Sequence, residues 1–288
     1  IITGGGGNDT LTGGAGNDTF NIDSGVDSIV DLTTGDILVV SSGATVNSTF
    51  AANFVATNAS TNAGTANLTA AAGGKTIDMS LAGGSNGFNI IGGSGGDTLK
   101  GGGNADTFTI SSSGEGNSDV FDGGGGTDKL QASAGSHVFA SDATFTNIET
   151  VLAHASGSSI NLSAQSEGFT ITGGIGVDAI TGGSGVDIIT GGGGNDTFVF
   201  NDSVGGTFIS LDAGADSVSF VTRVSGATMH GGGGAQTVAF TTGSNLATFE
   251  GTFGGGSING GSGNDSLVFS SDASGTSLSG GAGADSIS

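Results

Sequence analysis

Cysteine, proline, tryptophan and tyrosine are all missing from the 288 residues. Without cysteine there is no disulfide scaffold, so any extracellular staple must be of another kind. Without proline, and without a strict three-residue glycine period, collagen is excluded. Four cations scattered at Lys75, Lys100, Lys129 and Arg223 cannot make the basic footprint that nucleic acids require. No run of about 18 apolar residues occurs, so no helix spans a membrane. The start, IITGGGGNDT, has no initiator Met, basic segment or apolar signal region. The chain opens in mid-motif and closes in the same way at GGAGADSIS, and is expected to be a segment of something longer.

What is present in excess is glycine and acid. Glycine supplies 62 residues, about three times the usual share of ~7 per cent. Asp+Glu is 26 against Lys+Arg 4, a net charge of −22. High charge with low hydrophobicity would mean disorder. Here 34% of residues are hydrophobic and the mean hydropathy is +0.15, so there is apolar surface to bury. The length allows one or two domains.

The glycines are phased. GGGGNDTLT from Gly4 is followed by GGAGNDTFN, and the pattern returns as GGSGGDTLK from Gly92 and GGGGTDKLQ from Gly123. Three copies run in tandem from Gly173, and two more start at Gly260 and Gly280. The form is G-G-x-G-x-D-x-U-x, with U apolar. A near copy, GGGNADTFT from Gly101, has Asn104 for a glycine, a mild exchange because Asn tolerates left-handed backbone. Glycine permits positive φ, so six residues can form a tight turn with inward carbonyls. The Asp ends the turn, and x-U-x is a short strand with one inward side chain. Expected inward residues are Leu11, Phe20, Ile29, Leu99, Phe108, Leu130, Ile180, Ile189, Phe198, Val218, Leu267 and Ile287. Two nonapeptides make one coil, and stacked coils make an all-β fold, a right-handed parallel β-roll or β-solenoid with turns along both edges. Coils of 18–20 residues over the whole length would give a solenoid about 70 Å long at ~4.8 Å per strand.

This nonapeptide resembles that of the RTX (repeats-in-toxin) family of calcium-binding, type I-secreted bacterial proteins. The resemblance implies Ca²⁺ between turns stacked on one edge, so that ligating Asp residues recur one coil apart. Asp9 and Asp27, Asp18 and Asp36, and Asp178 and Asp196 are each 18 apart. Asp97 and Asp119, and Asp106 and Asp128, are 22 apart, as if a coil had gained four residues near SSSGEGN. Asp196 and Asp216, and Asp265 and Asp285, are 20 apart. Asp187 continues the tandem series on the other edge without an Asp one coil ahead. These fourteen residues are the candidate metal ligands, for about seven or more ions. Oxygen-only ligation suits a hard cation, and 6–8 ligands favour Ca²⁺ over Mg²⁺. The alternative is that these Asp residues only cap turns. At GGGGAQTVA, Gln236 replaces the Asp, and a coil without a full metal site is expected there.

The expected division is an RTX block over 1–36, a spacer over 37–82, a block over 83–130, a spacer over 131–168 and a longer-coiled block over 169–288. The spacers are rich in Ala, Ser, Thr and Val and are expected to be irregular β structure, whose alternating apolar residues suggest short strands that continue the β-solenoid. TIDMSLAGGSNGFNIIGG around Ile77 is echoed by SINLSAQSEGFTITGG around Ile160, which indicates a duplicated spacer-plus-roll module. A short helix is expected in NSTFAANFVATN.

No catalytic constellation is found. His137, His154 and His230 belong to no His-Glu-x-x-His motif and are expected at the surface or in turns. Ser85 and Ser94 fit G-x-S-x-G but lie in glycine-rich turns without the helix a nucleophile elbow needs. GGKT at Lys75 lacks the earlier glycine of a P-loop. The chain is expected not to be an enzyme, with no catalytic or cofactor-binding residue beyond the metal ligands.

The spacers, with IETV at Ile148 and INLS at Ile160, resemble those of RTX-type bacterial surface-layer (S-layer) proteins. That resemblance implies a secreted, calcium-dependent structural protein of the bacterial cell surface, forming an S-layer or extracellular filament. Its partners would be further copies of itself, as homopolymer or lattice, and the outer surface, through lipopolysaccharide or another glycan. The alternatives are a secretion and stability domain of a larger enzyme or toxin, or an adhesin stalk.

Overall fold

A computed structural model shows the chain built from short parallel strands. It describes residues 1–271 and 273–288. Among the described residues no α-helix occurs, and two 3₁₀ turns, Glu115–Asn117 and Asp142–Thr144, are the only helical turns. The chain divides into two compact units, residues 1–133 with 143–149, and residues 134–142 with 150–288.

In the first unit, two nonapeptides make one coil, as the repeat dictates. Ile2 pairs with Phe20 and Phe20 with Leu38, while Thr10 pairs with Ser28. The segment 37–82 does not interrupt this stacking. Thr45–Phe50 pairs with Val26–Ile29 on one side and Thr65–Ala70 on the other. A further five-stranded sheet runs from Phe54–Val55 to Phe145–Thr146. The four extra residues near SSSGEGN are accommodated in the loop that holds the Glu115–Asn117 turn.

The helix expected in NSTFAANFVATN does not form; Thr45–Phe50 and Phe54–Val55 are strands. Val46, Ser48 and Phe50 are buried and alternate with more exposed neighbours. That is a period of two, which fits a strand and not a helix, and the β-branched and aromatic residues favour it. The spacer continues the solenoid as its apolar alternation suggests, in a regular and not an irregular form, without the nonapeptide signature. The same holds in 131–168, where Ser158–Asn161 pairs with both Gly135–Val138 and Ala179–Gly182.

The second unit settles into a constant register. Thr197 pairs with Ser217, Ser217 with Thr237, Thr237 with Ser257 and Ser257 with Ser277. Inward side chains therefore stack in columns: Ile160, Ile180, Phe198, Val218, Val238 and Ile258 are each at most 1% exposed. Phe200, Phe220 and Phe240 form a second column, with ring centroids 5.0 and 4.9 Å apart and nearly parallel planes. Of the twelve expected inward residues, only Ile287 is exposed; its strand pairs on one side only. His137 departs from the expected surface location. It is fully buried, because its strand places it in the inward column beside Ile160.

Candidate metal centre

The turn geometry follows from glycine. In GGGGTD, Gly124 and Gly126 have φ of +87° and +124°, a region that side chains bearing Cβ enter only at a cost. The turn brings Asp128 back against its first glycine, where a Cβ on Gly123 would lie 2.4 Å from Asp128 Oδ2. Gly260 stands in the same relation to Asp265 Oδ2, at 2.8 Å. The space beside the carboxylate is thus kept free of any side chain.

All seven Asp pairs read from the spacing are joined by one kind of hydrogen bond. The backbone N–H of the earlier residue donates to Oδ1 of the later one. In the first unit this holds for Asp9 to Asp27 (3.0 Å), Asp18 to Asp36 (2.9 Å), Asp97 to Asp119 (2.8 Å) and Asp106 to Asp128 (2.7 Å). In the second it holds for Asp178 to Asp196 and Asp196 to Asp216 (both 2.8 Å), and Asp265 to Asp285 (3.0 Å). Asp187 Oδ1 accepts from Phe169 N–H, and its own N–H donates to Thr207 Oγ1 at 3.4 Å. Asp9, Asp18 and Asp285 are half-buried; the other eleven are buried. Asp97, Asp106, Asp178 and Asp265 Oδ1 in turn accept from the N–H of Lys75, Phe88, Ser158 and Asn245, so that one oxygen of every carboxylate except those of Asp9 and Asp18 caps the backbone one coil earlier.

The second oxygen divides the set. Asp97, Asp106 and Asp178 use Oδ2 to accept from a glycine N–H of their own turn, at 2.7–2.9 Å. Asp9, Asp27, Asp128, Asp187, Asp196, Asp216 and Asp265 have an Oδ2 that is shut off from solvent with no hydrogen-bond donor. A buried, unsatisfied carboxylate oxygen costs more than the ~1–3 kcal/mol of a neutral polar group. Burial pushes Asp187 and Asp196 up to about 6 and Asp128 up to about 7, and raises Asp216; it also pushes Asp106 up to about 6, although both its oxygens accept N–H bonds. Smaller contributions come from neighbouring charges, with Asp106, Glu149 and Asp122 acting on Asp128.

These orphaned oxygens fit a hard divalent cation. The donors are carboxylate and carbonyl oxygens only, which suits Ca²⁺. Among the described residues no three carboxylate or imidazole side chains converge on one point, so turn carbonyls would complete any coordination sphere. The ladder Asp residues and the glycine-turn carbonyls would hold the ion, which would supply positive charge between rungs of like charge.

The ladders contain rungs that the Asp spacing does not reveal. Glu149 Oε2 accepts from Asp128 N–H at 2.6 Å, taking the place of an Asp. Gln236 Oε1 accepts from Asp216 N–H, and Asn245 Oδ1 from Val224 N–H, both at 2.9 Å. Counting one coil onward from Asp128 reaches Glu149, and one coil back from Asp265 reaches Asn245; the coil length was the missing signal. His154 and His230 do not join any ladder as ligands. His154 Nδ1 lies 2.8 Å from Ser156 Oγ in an exposed turn, and His230 Nδ1 lies 4.0 Å from Glu250 Oε2 on the outer face. Ser85 sits in a bend with its hydroxyl on Asn86 Oδ1, and no helix follows.

The family model for the RTX calcium-binding nonapeptide repeat (4 copies) matches residues 1–29, 84–109, 113–136, 170–201 and 250–273, just under half of the chain. Comparison with curated proteins and with solved structures returns no match. Asp36, Asp216, Asp285, Glu149 and Gln236 lie outside the matched residues, so the ladders extend past the segments that carry the repeat.

Proposed function

Because this chain belongs to the RTX family of calcium-binding repeat proteins, we propose that it is a secreted, calcium-dependent structural protein of a bacterial cell surface. RTX repeats bind calcium, and proteins that carry them are typically secreted. The observation that supports a calcium-dependent fold is the set of buried Asp Oδ2 atoms without donors, stacked one coil apart. In a cell, free Ca²⁺ is too scarce for sites of the extracellular class, whose Kd is roughly 10⁻⁴–10⁻³ M. Carboxylates one coil apart then repel, and the chain stays unfolded and suited to type I export. Outside, ion binding becomes folding free energy. Seven ions would offset more than half of the net charge of −22.

The structural role, as S-layer or filament built from copies of itself and held to the outer surface through a glycan, is supported by the continuity of the solenoid through the Ser/Thr/Ala segments. Circular dichroism against calcium tests the switch: a β signal gained with Ca²⁺ and lost in excess chelator is expected. A β signal unchanged by chelator would refute it. Electron micrographs test the assembly; ordered polymers that disperse on chelation are expected. A soluble monomer at saturating calcium would favour the alternative, a secretion and stability domain of a larger protein.

A further inference from the structure

Two rungs of the second unit carry amides where an acid would otherwise stand, and both are buried: Gln236 at 0% and Asn245 at 2% exposure. Gln236 Oε1 caps Asp216 N–H at 2.9 Å, just as Asp216 Oδ1 caps Asp196 N–H at 2.8 Å. Its Nε2 donates to the carbonyls of Gly214 (3.0 Å) and Gly233 (3.4 Å), one from the preceding turn and one from its own. Asn245 repeats the arrangement. Its Oδ1 caps Val224 N–H, and its Nδ2 donates to the carbonyls of Gly243 (2.9 Å) and Gly260 (3.2 Å) and to Asp265 Oδ1 (2.9 Å). The capped N–H groups fix which end of each amide is oxygen. In both cases an NH₂ group, with its positive partial charge, stands among turn carbonyls.

Gln236 leads into the strand Thr237–Phe240 and Asn245 into Leu246–Gly251, which belong to different sheets. Both turns of this coil are therefore closed without a charged rung. Two coils earlier, Thr207 likewise replaces an acid as acceptor for Asp187 N–H. The same stretch holds the aromatic column. Phe240 follows Phe200 and Phe220, and Phe249 packs on Phe240 (6.5 Å), Phe253 (5.5 Å) and Phe269 (4.8 Å). The strands that the two amides open, Thr237–Phe240 and Leu246–Gly251, thus both carry a stacked Phe ring, whereas the strands after Asp178 and Asp187 carry the aliphatic Ile180 and Ile189 and the strand after Asp196 carries Phe198 and Phe200.

We infer that residues 217–259 form a calcium-independent core of the second unit, in which the Gln236 and Asn245 NH₂ groups take the place of the cation between coils. This coil keeps its structure when calcium is withdrawn and presents formed strand edges on which the acid-closed coils can stack when calcium returns. The inference rests on the proposed calcium switch of the acid rungs and limits where that switch acts.

Hydrogen exchange read by mass spectrometry, in calcium and in excess chelator, tests it on the full chain. In chelator, amides of 217–220, 237–240 and 246–251 are expected to exchange on the order of tenfold more slowly than those of 170–172 and 188–190, since local opening sets the rate. Gln236→Asp with Asn245→Asp turns the two rungs into acids. This variant is expected to match the parent in calcium, which shows that it folds, and to lose protection over 217–251 in chelator. Uniform loss of protection in the parent on chelation would overturn the inference and leave the switch standing. Uniform protection would overturn the switch itself. Protection of the double variant in chelator would show that the amides do not close the coil, and would also overturn the inference.

Discussion

A single aspartate in this protein has two separable tasks, one per oxygen. Asp196 Oδ1 caps Asp178 N–H, while Oδ2 has no donor. Asp196→Asn keeps the capping oxygen and removes the charge. It is expected to leave the chelated state no less stable and to raise the calcium needed for folding on the order of tenfold, since ligand charge sets affinity. A calcium midpoint unchanged in a dichroism titration would mean that Asp196 is a cap alone. The proton competes for the same oxygens. With folded values of about 6 for Asp187 and about 7 for Asp128, against ~3.9 in the unfolded chain, the metal-free fold binds protons that the unfolded chain has released. The resulting stability is complete below about pH 4 and is lost as pH rises through 6 to 7. The β signal retained in chelator is therefore expected to be larger at about pH 5 than at about pH 8. Calcium affinity is expected to move the other way, since the ion must displace those protons. Equal β signals would show that the carboxylates are already charged when metal-free.

Among the elements, the nonapeptide strands were plain in the sequence because glycine turns punctuate them and one apolar residue marks the inward side. The strands Thr45–Phe50 and Thr65–Ala70 were legible only as an apolar alternation that continues the solenoid, since no nonapeptide frames them and marks their bounds. Asp pairing was legible from spacing; Glu149 and Asn245 were missed because a search for Asp passes over their side chains. The aromatic column was hidden for another reason. Phe200, Phe220 and Phe240 are 20 residues apart, and only the strand register shows that they touch. Phe220 has a ring on each face, at 5.0 and 4.9 Å. Phe220→Ala is expected to cost ~3–5 kcal/mol in the presence of calcium. A chemical-denaturation loss under about 1 kcal/mol would show that the column relaxes around the gap.

At the scale of the whole chain, composition becomes intelligible as division of labour. Much of the acid is in buried rungs, much of the glycine in turns that hold a carboxylate close, and the two amide rungs open the strands that carry Phe240 and Phe249. Each coil bonds only to its neighbours, so stability is close to a sum of coil and interface contributions. The steady register of the second unit, from Thr197 through Ser217, Thr237 and Ser257 to Ser277, carries a consequence for how such a chain can change length. Excising one full period joins Asp216 to Thr237 and leaves every later side chain facing as before. Excising one residue more or fewer turns the inward column of that strand outward. Growth and shrinkage by whole periods is thus a nearly neutral step for this architecture, whereas the smallest deletion within a strand is among the most damaging.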